Sequence, residues 1–220
     1  MWRVLLIVVK DELKPTVSIY FESLCPGSKF FFKQILKKHV DAMDFKKVNL
    51  DFVPFGFASH KELPEGKNEW KCQHGEPECH GNRMLACAVH VLTPERSPVK
   101  PKPEDEFPGH LKEARPRGQN LLLQYMICVM SSGNPPKAGE ECAQSVGVSW
   151  LDINKCLYSQ TGEELMLAME GKTKGRHPSV SLLPWIEYDG IHYDRSYPNF
   201  IETFNAYVQA RPGHNKIEGL

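Results

Sequence analysis

The sequence predicts an α/β protein with a mixed four-stranded sheet and a helical insertion between its two halves. Three observations lead to this prediction. Apolar and polar residues alternate over 17–21 and 48–52, and apolar residues at helical spacing lie between these two runs. An Asp189-Gly190 turn lies between two β-rich runs and is followed by a helical pattern. The long stretch that separates these two parts is largely helical in pattern.

The first half is predicted to be a βαβ unit. Residues 17–21 alternate with the period of a half-buried strand, and Phe30, Phe31, Ile35 and Leu36 then follow at helical spacing. A second alternating run follows at 48–52 and stops at a proline. Two strands joined by one helix are expected to be parallel, with a right-handed crossover.

The second half is predicted to be a β-hairpin followed by a closing helix. Asp-Gly between two β-rich runs is a strong hairpin signal, and apolar residues from Phe200 to Val208 mark one helical face. The order βαβ, helices, ββα is that of the thioredoxin fold with helices inserted. We therefore predict a discontinuous thioredoxin-like domain at 14–92 and 178–212, with an inserted helical region at 119–177.

Residues 93–118 differ in character from both halves. The segment contains six prolines and many charged residues, and it offers little apolar surface to bury. Such a segment cannot offset the entropy cost of ordering its backbone. We predict a proline-rich mobile loop, with docking to another protein as the alternative.

Composition excludes several classes of function. The 27 basic and 27 acidic residues give a formal net charge of zero and a pI of about 7.1. This balance gives no electrostatic reason to expect nucleic acid or anionic lipid as a partner. No apolar run approaches the ~18 residues that a membrane span requires. No Asn-x-Ser/Thr acceptor occurs, so N-glycosylation is not expected.

Seven cysteines indicate the compartment. One lies alone near the start of the chain, and the others are Cys72, Cys79, Cys87, Cys128, Cys142 and Cys156. A set of six predicts up to three structural disulfides, which require an oxidising compartment and leave the seventh cysteine free. The alternative is six buried, reduced thiols in a cytosolic protein.

Cys25 is the candidate nucleophile because it lies where a strand ends and a helix begins, the edge at which ligands gather in open α/β sheets. With Cys25 as N-cap, Pro26 takes the first helical position. The sulfur is then expected to accept a hydrogen bond from the amide of Gly27 or Ser28, which would favour the thiolate. The flanking Glu22 and Ser23 are interpreted as part of an exposed turn, and the alternative is a buried, inert thiol.

Ser28 occupies the position where a Cys-x-x-Cys site carries its second thiol. In a dithiol site the second thiol attacks the mixed disulfide and releases the reduced product. A hydroxyl cannot take part in this exchange, although it can hydrogen-bond the Cys25 thiolate. A mixed disulfide at Cys25 would therefore await an outside thiol, and the alternative is that Ser28 is an ordinary residue of the first helical turn.

Pro184 is the second element of the candidate site. Thioredoxin-like folds place a cis-proline beside the reactive cysteine, just before the strand of the final hairpin, and Pro184 holds that position. We expect the Leu183–Pro184 bond to be cis and the backbone of Leu183 to be available for an extended substrate strand. Pro26, Gly27 and Leu183 are the candidate substrate-binding residues.

The segment from Cys72 to Cys87 is the most specific feature of the chain. Its cysteines and histidines, Cys72, His74, Cys79, His80 and Cys87, could supply tetrahedral zinc ligands. The spacing lacks a Cys-x-x-Cys pair, however, and the ligands would be crowded. We favour disulfides that fix a loop to a helix, and we expect no metal.

This segment matches Cys-Gln-His-Gly-x-x-Glu-Cys-x-x-Asn-x-x-x-x-Cys at every fixed position, so the chain resembles the gamma-interferon-inducible lysosomal thiol reductase (GILT) family. Cys25, the later cysteines and Pro184-Trp185 follow in family order. The resemblance implies a thioredoxin-like fold, disulfide reduction in acidic conditions, and an endosomal, lysosomal or extracellular location. It implies no cofactor.

Three departures from the family pattern shape the functional hypothesis. Ser28 replaces the second active-site cysteine, glycosylation acceptors are absent, and 93–118 resembles an insertion. We expect a secreted protein-binding module with little or no reductase activity, the lysosomal or endosomal lumen being the alternative location. The alternative function is monothiol exchange or isomerisation of disulfides by Cys25 with an external thiol. The partner would be a protein, or a protein substrate that carries a disulfide.

Overall fold

The structure is a computed structural model that describes residues 14–100, 102, 116–193 and 198–210. It has the predicted mixed α/β fold, with a four-stranded sheet of order β2-β1-β5-β6. Its strands are β1 (Thr16–Phe21), β2 (Asn49–Pro54), β5 (Trp185–Tyr188) and β6 (Ile191–His192). A separate two-stranded sheet contains β3 (Ser59–Leu63) and β4 (Lys67–Lys71).

The described residues include seven helices, which surround the main sheet. The first, α1, runs through Pro26–Phe30, a π-helical stretch Phe31–Leu36 and a last turn Lys37–His39. The others are α2 (Glu76–Leu92), α3 (Gln119–Ser131), α4 (Gly139–Val146), α5 (Trp150–Leu157), α6 (Gln160–Lys174) and α7 (Phe200–Gln209). Short 3-10 turns lie at Val40–Ala42, Phe45–Lys47, Pro64–Gly66, Pro94–Arg96 and Pro135–Lys137. Among the described helices, none is long and apolar enough to cross a membrane.

The strand pairing confirms the two predicted halves. β1 is parallel to β2, with Ile19 opposite Phe52, and antiparallel to β5, with Ile19 opposite Ile186. The β5–β6 hairpin turns at Asp189 and Gly190, which both have positive φ. A type I′ turn requires that conformation, and this is why Asp-Gly gave a reliable signal.

Strand β1 is buried on both faces, so the prediction of a half-buried strand was wrong. Ser18 and Tyr20, on the face expected to meet solvent, are almost fully buried. On the opposite face, Phe32 of α1 packs against Phe21 with ring centroids 4.8 Å apart. A central strand that is covered on both faces has no solvent-exposed face, so its polar residues are buried as well.

The β3–β4 hairpin was not predicted, and little in its sequence could have indicated it. Ser59 lies opposite Lys71 and Leu63 opposite Lys67, but both strands are largely polar and partly exposed. The hairpin is fixed to the helical region by side chains at its edge: Trp70 donates a hydrogen bond to Glu163 at 2.8 Å. Such strands lack the alternation on which sequence-based strand prediction depends.

Most of the segment predicted as a mobile loop lies outside the described residues. The described part begins with the buried Thr93, and Val99 packs against the core. The amide of Gly118 donates a hydrogen bond to the carbonyl of Leu92 at 2.8 Å, which brings the two ends of the segment together.

Candidate functional site

Cys25 ends the loop that leads from β1 into α1. It is the N-cap of α1, Pro26 occupies the first turn, and the carbonyl of Cys25 accepts a hydrogen bond from the amide of Lys29 at 2.9 Å. The side chain is partly buried, and Cys25 is the free cysteine of the seven. Its sulfur makes no capping hydrogen bond, so the expected bond from Gly27 or Ser28 is not formed.

Ser28 is fully buried, and its hydroxyl faces the chain that precedes the cysteine. Ser28 Oγ accepts a hydrogen bond from the amide of Glu22 at 3.3 Å. Among the described residues, the structure records no hydrogen bond between Ser28 and Cys25. The hydroxyl thus holds the start of the loop.

The Leu183–Pro184 peptide bond is cis, and Leu183 lies against the first turn of α1. A Cβ built on Gly27 would lie 2.7 Å from the carbonyl oxygen of Leu183 and 3.9 Å from Cys25 Sγ. Leu183 is itself buried, whereas Pro26 is exposed. The structure therefore brings Gly27, Leu183 and the Cys25 sulfur together at one end of the sheet.

Gly27→Ala should destabilise the protein by about 1–3 kcal/mol, because the new methyl group would be forced against a backbone carbonyl. Gly171→Ala is the matched control, since Gly171 also lies in a helix but has open space at its Cβ position. Removing this helical glycine should stabilise the protein by about 0.5–1 kcal/mol. Urea unfolding of both variants tests the contrast, and equal effects would contradict the described contact.

The remaining cysteines form three disulfides: Cys72–Cys79, Cys87–Cys156 and Cys128–Cys142. The first joins the segment before α2 to its first turns, and the second joins α2 to α5. This pairing contradicts the zinc alternative, because Cys72, Cys79 and Cys87 are no longer available as thiolate ligands. Of the two histidines proposed as ligands, His80 packs its ring near Tyr158 at 6.2 Å between centroids, and His74 lies beside Glu78.

The Cys72–Cys87 segment holds the loop in front of Cys25. The amide of Ser23 donates to Asn82 Oδ1 at 2.8 Å, and the amide of Leu24 donates to Glu78 Oε2 at 3.3 Å. The Ser23 hydroxyl donates to the carbonyl of Glu78 at 3.1 Å. A Cβ on Gly81 would lie 2.5 Å from the Ser23 hydroxyl, so α2 approaches this loop closely.

Glu22 and Ser23 are fully buried, so the interpretation of these residues as an exposed turn was wrong. Their polar character suggested contact with water, but α2 supplies partners for the backbone amides. Glu22, His74 and Glu78 form an acid–base cluster whose donor atoms lie within 4.8 Å of one another. His74 Nδ1 lies 2.6 Å from Glu78 Oε2, and the His74 amide donates to Glu78 Oε1 at 3.0 Å. Hydrogen bonds thus account for the proximity of His74 and Glu78, while His74 Nδ1 lies 3.9 Å from Glu22 Oε2.

Sequence reasoning missed Glu22 as a site residue. Its carboxyl accepts a hydrogen bond from the amide of Phe57 at 2.7 Å through Oε1, while Oε2 is buried without a partner. Burial raises the pKa of Glu22 to about 7, the Phe57 amide lowers it, the nearby Glu78 raises it and His74 lowers it. The signal was an acidic residue at the end of an otherwise apolar strand.

The fold and the site together define a class of protein. A cysteine at the start of the helix after β1, together with a cis-proline just before β5, is the arrangement of the thioredoxin-like fold. A solved structure described as Chlamydia trachomatis DsbA aligns over 90% of this chain and 89% of its own, with a TM-score of 0.52 and 10% identity. This likeness supports the fold alone.

The family follows from the sequence match. Residues 16–146 match the family model described as gamma interferon inducible lysosomal thiol reductase (GILT), and the chain belongs to this family. A similar protein is the gamma-interferon-inducible lysosomal thiol reductase of Carassius auratus, 30% identical over 185 residues. That alignment covers 81% of this chain and 61% of the relative's length. GILT-like protein 1 of Drosophila melanogaster is 28% identical over 207 residues, covering 90% and 76% of the two chains.

Proposed function

We propose that the protein has little or no thiol reductase activity and acts as a secreted protein-binding module built on the reductase scaffold. One observation carries this proposal: Cys25 is a free thiol, and the position of the second active-site thiol holds the buried hydroxyl of Ser28. All other cysteines are held in disulfides. Without a second thiol, the protein lacks the group that releases a bound substrate from a mixed disulfide.

Exposed apolar side chains beside Cys25 support protein binding. Phe30 is 54% exposed and lies one turn beyond the exposed Pro26 on α1. Leu182 is 62% exposed and precedes Leu183, while Phe57 is 40% exposed and follows a glycine packed against Leu183. We call Phe30, Phe57 and Leu182 the apolar rim. Apolar side chains on segments that meet at one site favour an extended apolar stretch of a protein partner.

Replacing Phe30 and Leu182 together by serine should weaken binding of an unfolded, cysteine-free reporter protein about tenfold or more, because two exposed apolar anchors are removed. Leu151→Ser is the matched control, since Leu151 is 58% exposed on α5, outside the apolar rim. Fluorescence anisotropy with a labelled reporter measures the difference. Equal binding by the rim and control variants would contradict the proposed surface.

The second candidate function is monothiol exchange. Cys25 is partly exposed, and Gly27 of the helical turn that follows it packs against Leu183, whose amide makes no hydrogen bond within the described part of the chain. The Cys25 thiolate would attack a substrate disulfide, form a mixed disulfide and release one substrate thiolate. A small external thiol would then attack the mixed disulfide, regenerate the Cys25 thiolate and become joined to the substrate sulfur.

Reduction of a disulfide-bonded reporter at pH 5 and pH 7, with and without a small thiol, separates the two functions. The binding-module proposal expects wild-type rates near those of the Cys25→Ser variant under all four conditions. Many turnovers in the presence of the small thiol, lost in Cys25→Ser, would overturn it and establish monothiol exchange. The Cys25→Ser variant also subtracts the direct reaction of the small thiol with the reporter.

The proposed location follows from the disulfides. Three disulfides in one chain are typical of proteins that mature in an oxidising compartment. We propose secretion, with the lumen of endosomes or lysosomes as the alternative.

A further inference from the structure

The loop in front of Cys25 is held by side chains at three consecutive amides. The amide of Glu22 donates to Ser28 Oγ, that of Ser23 to Asn82 Oδ1, and that of Leu24 to Glu78 Oε2. Because Leu24 is joined directly to Cys25, these bonds fix the position from which the sulfur projects. Glu78 is one of the three acceptors. Because a titratable group lies next to it, the strength of its hydrogen bond to the loop can depend on pH.

Glu22 is the neighbour whose carboxyl group has an oxygen without a hydrogen-bond partner. Its side chain is fully buried, Oε1 accepts from the Phe57 amide, and Oε2 has no hydrogen-bond partner. His74 Nδ1 lies 3.9 Å from that oxygen. A buried carboxylate with an unpaired oxygen costs much more free energy than a neutral carboxylic acid in the same place.

The Glu22 side chain is too tightly packed to move its carboxyl group to solvent. A Cβ on Gly56 would lie 2.4 Å from Glu22 Cγ and 2.6 Å from Leu183 Cδ1, so this backbone is packed between the two side chains. The titratable groups that face Glu22 are His74 and Glu78, while Gly56, Phe57 and Leu183 are uncharged. Because the His74 side chain is 37% exposed, the cluster has a contact with water for proton exchange.

We propose that Glu22 is a positioning residue for Cys25 and that it acts as a neutral carboxylic acid. With Glu22 protonated, no negative charge at Glu22 repels Glu78, which holds both His74 and the Leu24 amide. When Glu22 loses its proton to water, the new buried negative charge repels Glu78 and loosens the Leu24 bond. Burial raises the pKa of Glu22 to about 7, so the loop is fixed in acid and loosened above neutrality.

The inference deepens the proposed function, because it concerns the residue at the centre of that site. It does not depend on whether Cys25 turns over substrate. The loop is positioned in the same way for a binding module, a monothiol enzyme or a dithiol reductase. Its test therefore measures the loop and the sulfur directly.

Amide hydrogen exchange of Ser23 and Leu24 in the full-length protein tests the inference between pH 5 and pH 8. After correction for intrinsic exchange, the wild type should lose about tenfold in protection as pH rises through neutrality. Glu22→Gln keeps a neutral side chain of the same shape and should retain the acid-state protection at pH 8. The matched control His80→Gln changes a histidine of α2 that lies outside the cluster, and it should show the same loss of protection with pH as the wild type.

Alkylation of Cys25 by iodoacetamide provides a second measurement that needs no amide assignment. The wild-type pH profile should show an added inflection near pH 7, which Glu22→Gln removes and His80→Gln keeps. Wild-type protection that does not change with pH, or a pH step retained in Glu22→Gln, would overturn the inference. Reporter turnover by the wild type would overturn the proposed function and leave these results unaffected, so the two failures are distinguishable.

Discussion

Replacing Ser28 with cysteine is expected to raise the rate of disulfide reduction about tenfold or more over the wild type. The second thiol would attack the mixed disulfide at Cys25, release the reduced substrate and leave an internal disulfide for an external thiol to reduce. Ser28 lies in the first turn of α1, so the new thiol would be in the same turn as Cys25. Reduction of a disulfide-bonded reporter protein with excess small thiol measures the effect.

The controls for this experiment separate the effect of the new thiol on the reduction rate from the effect of losing the hydroxyl. Ser28→Ala removes the acceptor of the Glu22 amide without adding a thiol, and it should leave reduction near the wild-type level. Ser28→Cys combined with Cys25→Ser should also be inactive, because the nucleophile is absent. If Ser28→Cys forms a disulfide with Cys25 and still gives no increase, loss of the second thiol is not the reason for low activity.

Glu22→Gln is expected to remove a large pH-dependent part of the free energy of unfolding. Burial raises the folded-state pKa of Glu22 from 4.5 to about 7, which corresponds to about 3 kcal/mol. Because the folded-state pKa is the higher one, this contribution is complete below about pH 4.5 and is lost as pH rises through about 7. The wild type should therefore lose up to about 3 kcal/mol relative to Glu22→Gln between pH 4.5 and pH 8.

Urea unfolding of both proteins at closely spaced pH values measures this difference. Taking the difference between the two proteins cancels the contributions of groups that titrate equally in both. The His80→Gln variant should keep the loss that Glu22 causes between pH 4.5 and pH 8. Its own difference from the wild type should have the opposite sign to that of Glu22→Gln, because burial lowers the pKa of His80 and its removal spares the variant a cost that appears in acid. A wild-type profile parallel to that of Glu22→Gln would show that the Glu22 carboxyl titrates alike in the folded and unfolded chains.

The fold was largely predictable because its signals are local. The alternation at 17–21 and 48–52 and the Asp189-Gly190 turn each specify their own backbone, and together they determine the sheet order. The β3–β4 hairpin was missed because its strands are polar on both sides. Burial of the second face of β1 was also missed, since the side chains that cover it are distant in sequence, as Glu187 is from Tyr20.

The candidate site was predictable only where one segment determines it. The position of Cys25 at the start of α1 follows from the residues around it, and so does that of Ser28. Burial of Glu22 and Ser23 instead depends on Glu78 and Asn82, more than 50 residues away along the chain. A polar residue that is buried by distant partners gives no local signal, and the acid–base cluster therefore emerged only in the structure.

The most direct test of the central claim is the intact mass of the wild-type protein after reaction with a disulfide-bonded peptide and no added thiol. If Cys25 has no resolving partner, any reaction adds the mass of the peptide and the adduct persists until a small thiol is supplied. Without reaction, the mass is unchanged. Release of fully reduced peptide, with the protein lighter by two hydrogen atoms and Cys25 in a new internal disulfide, would contradict the claim.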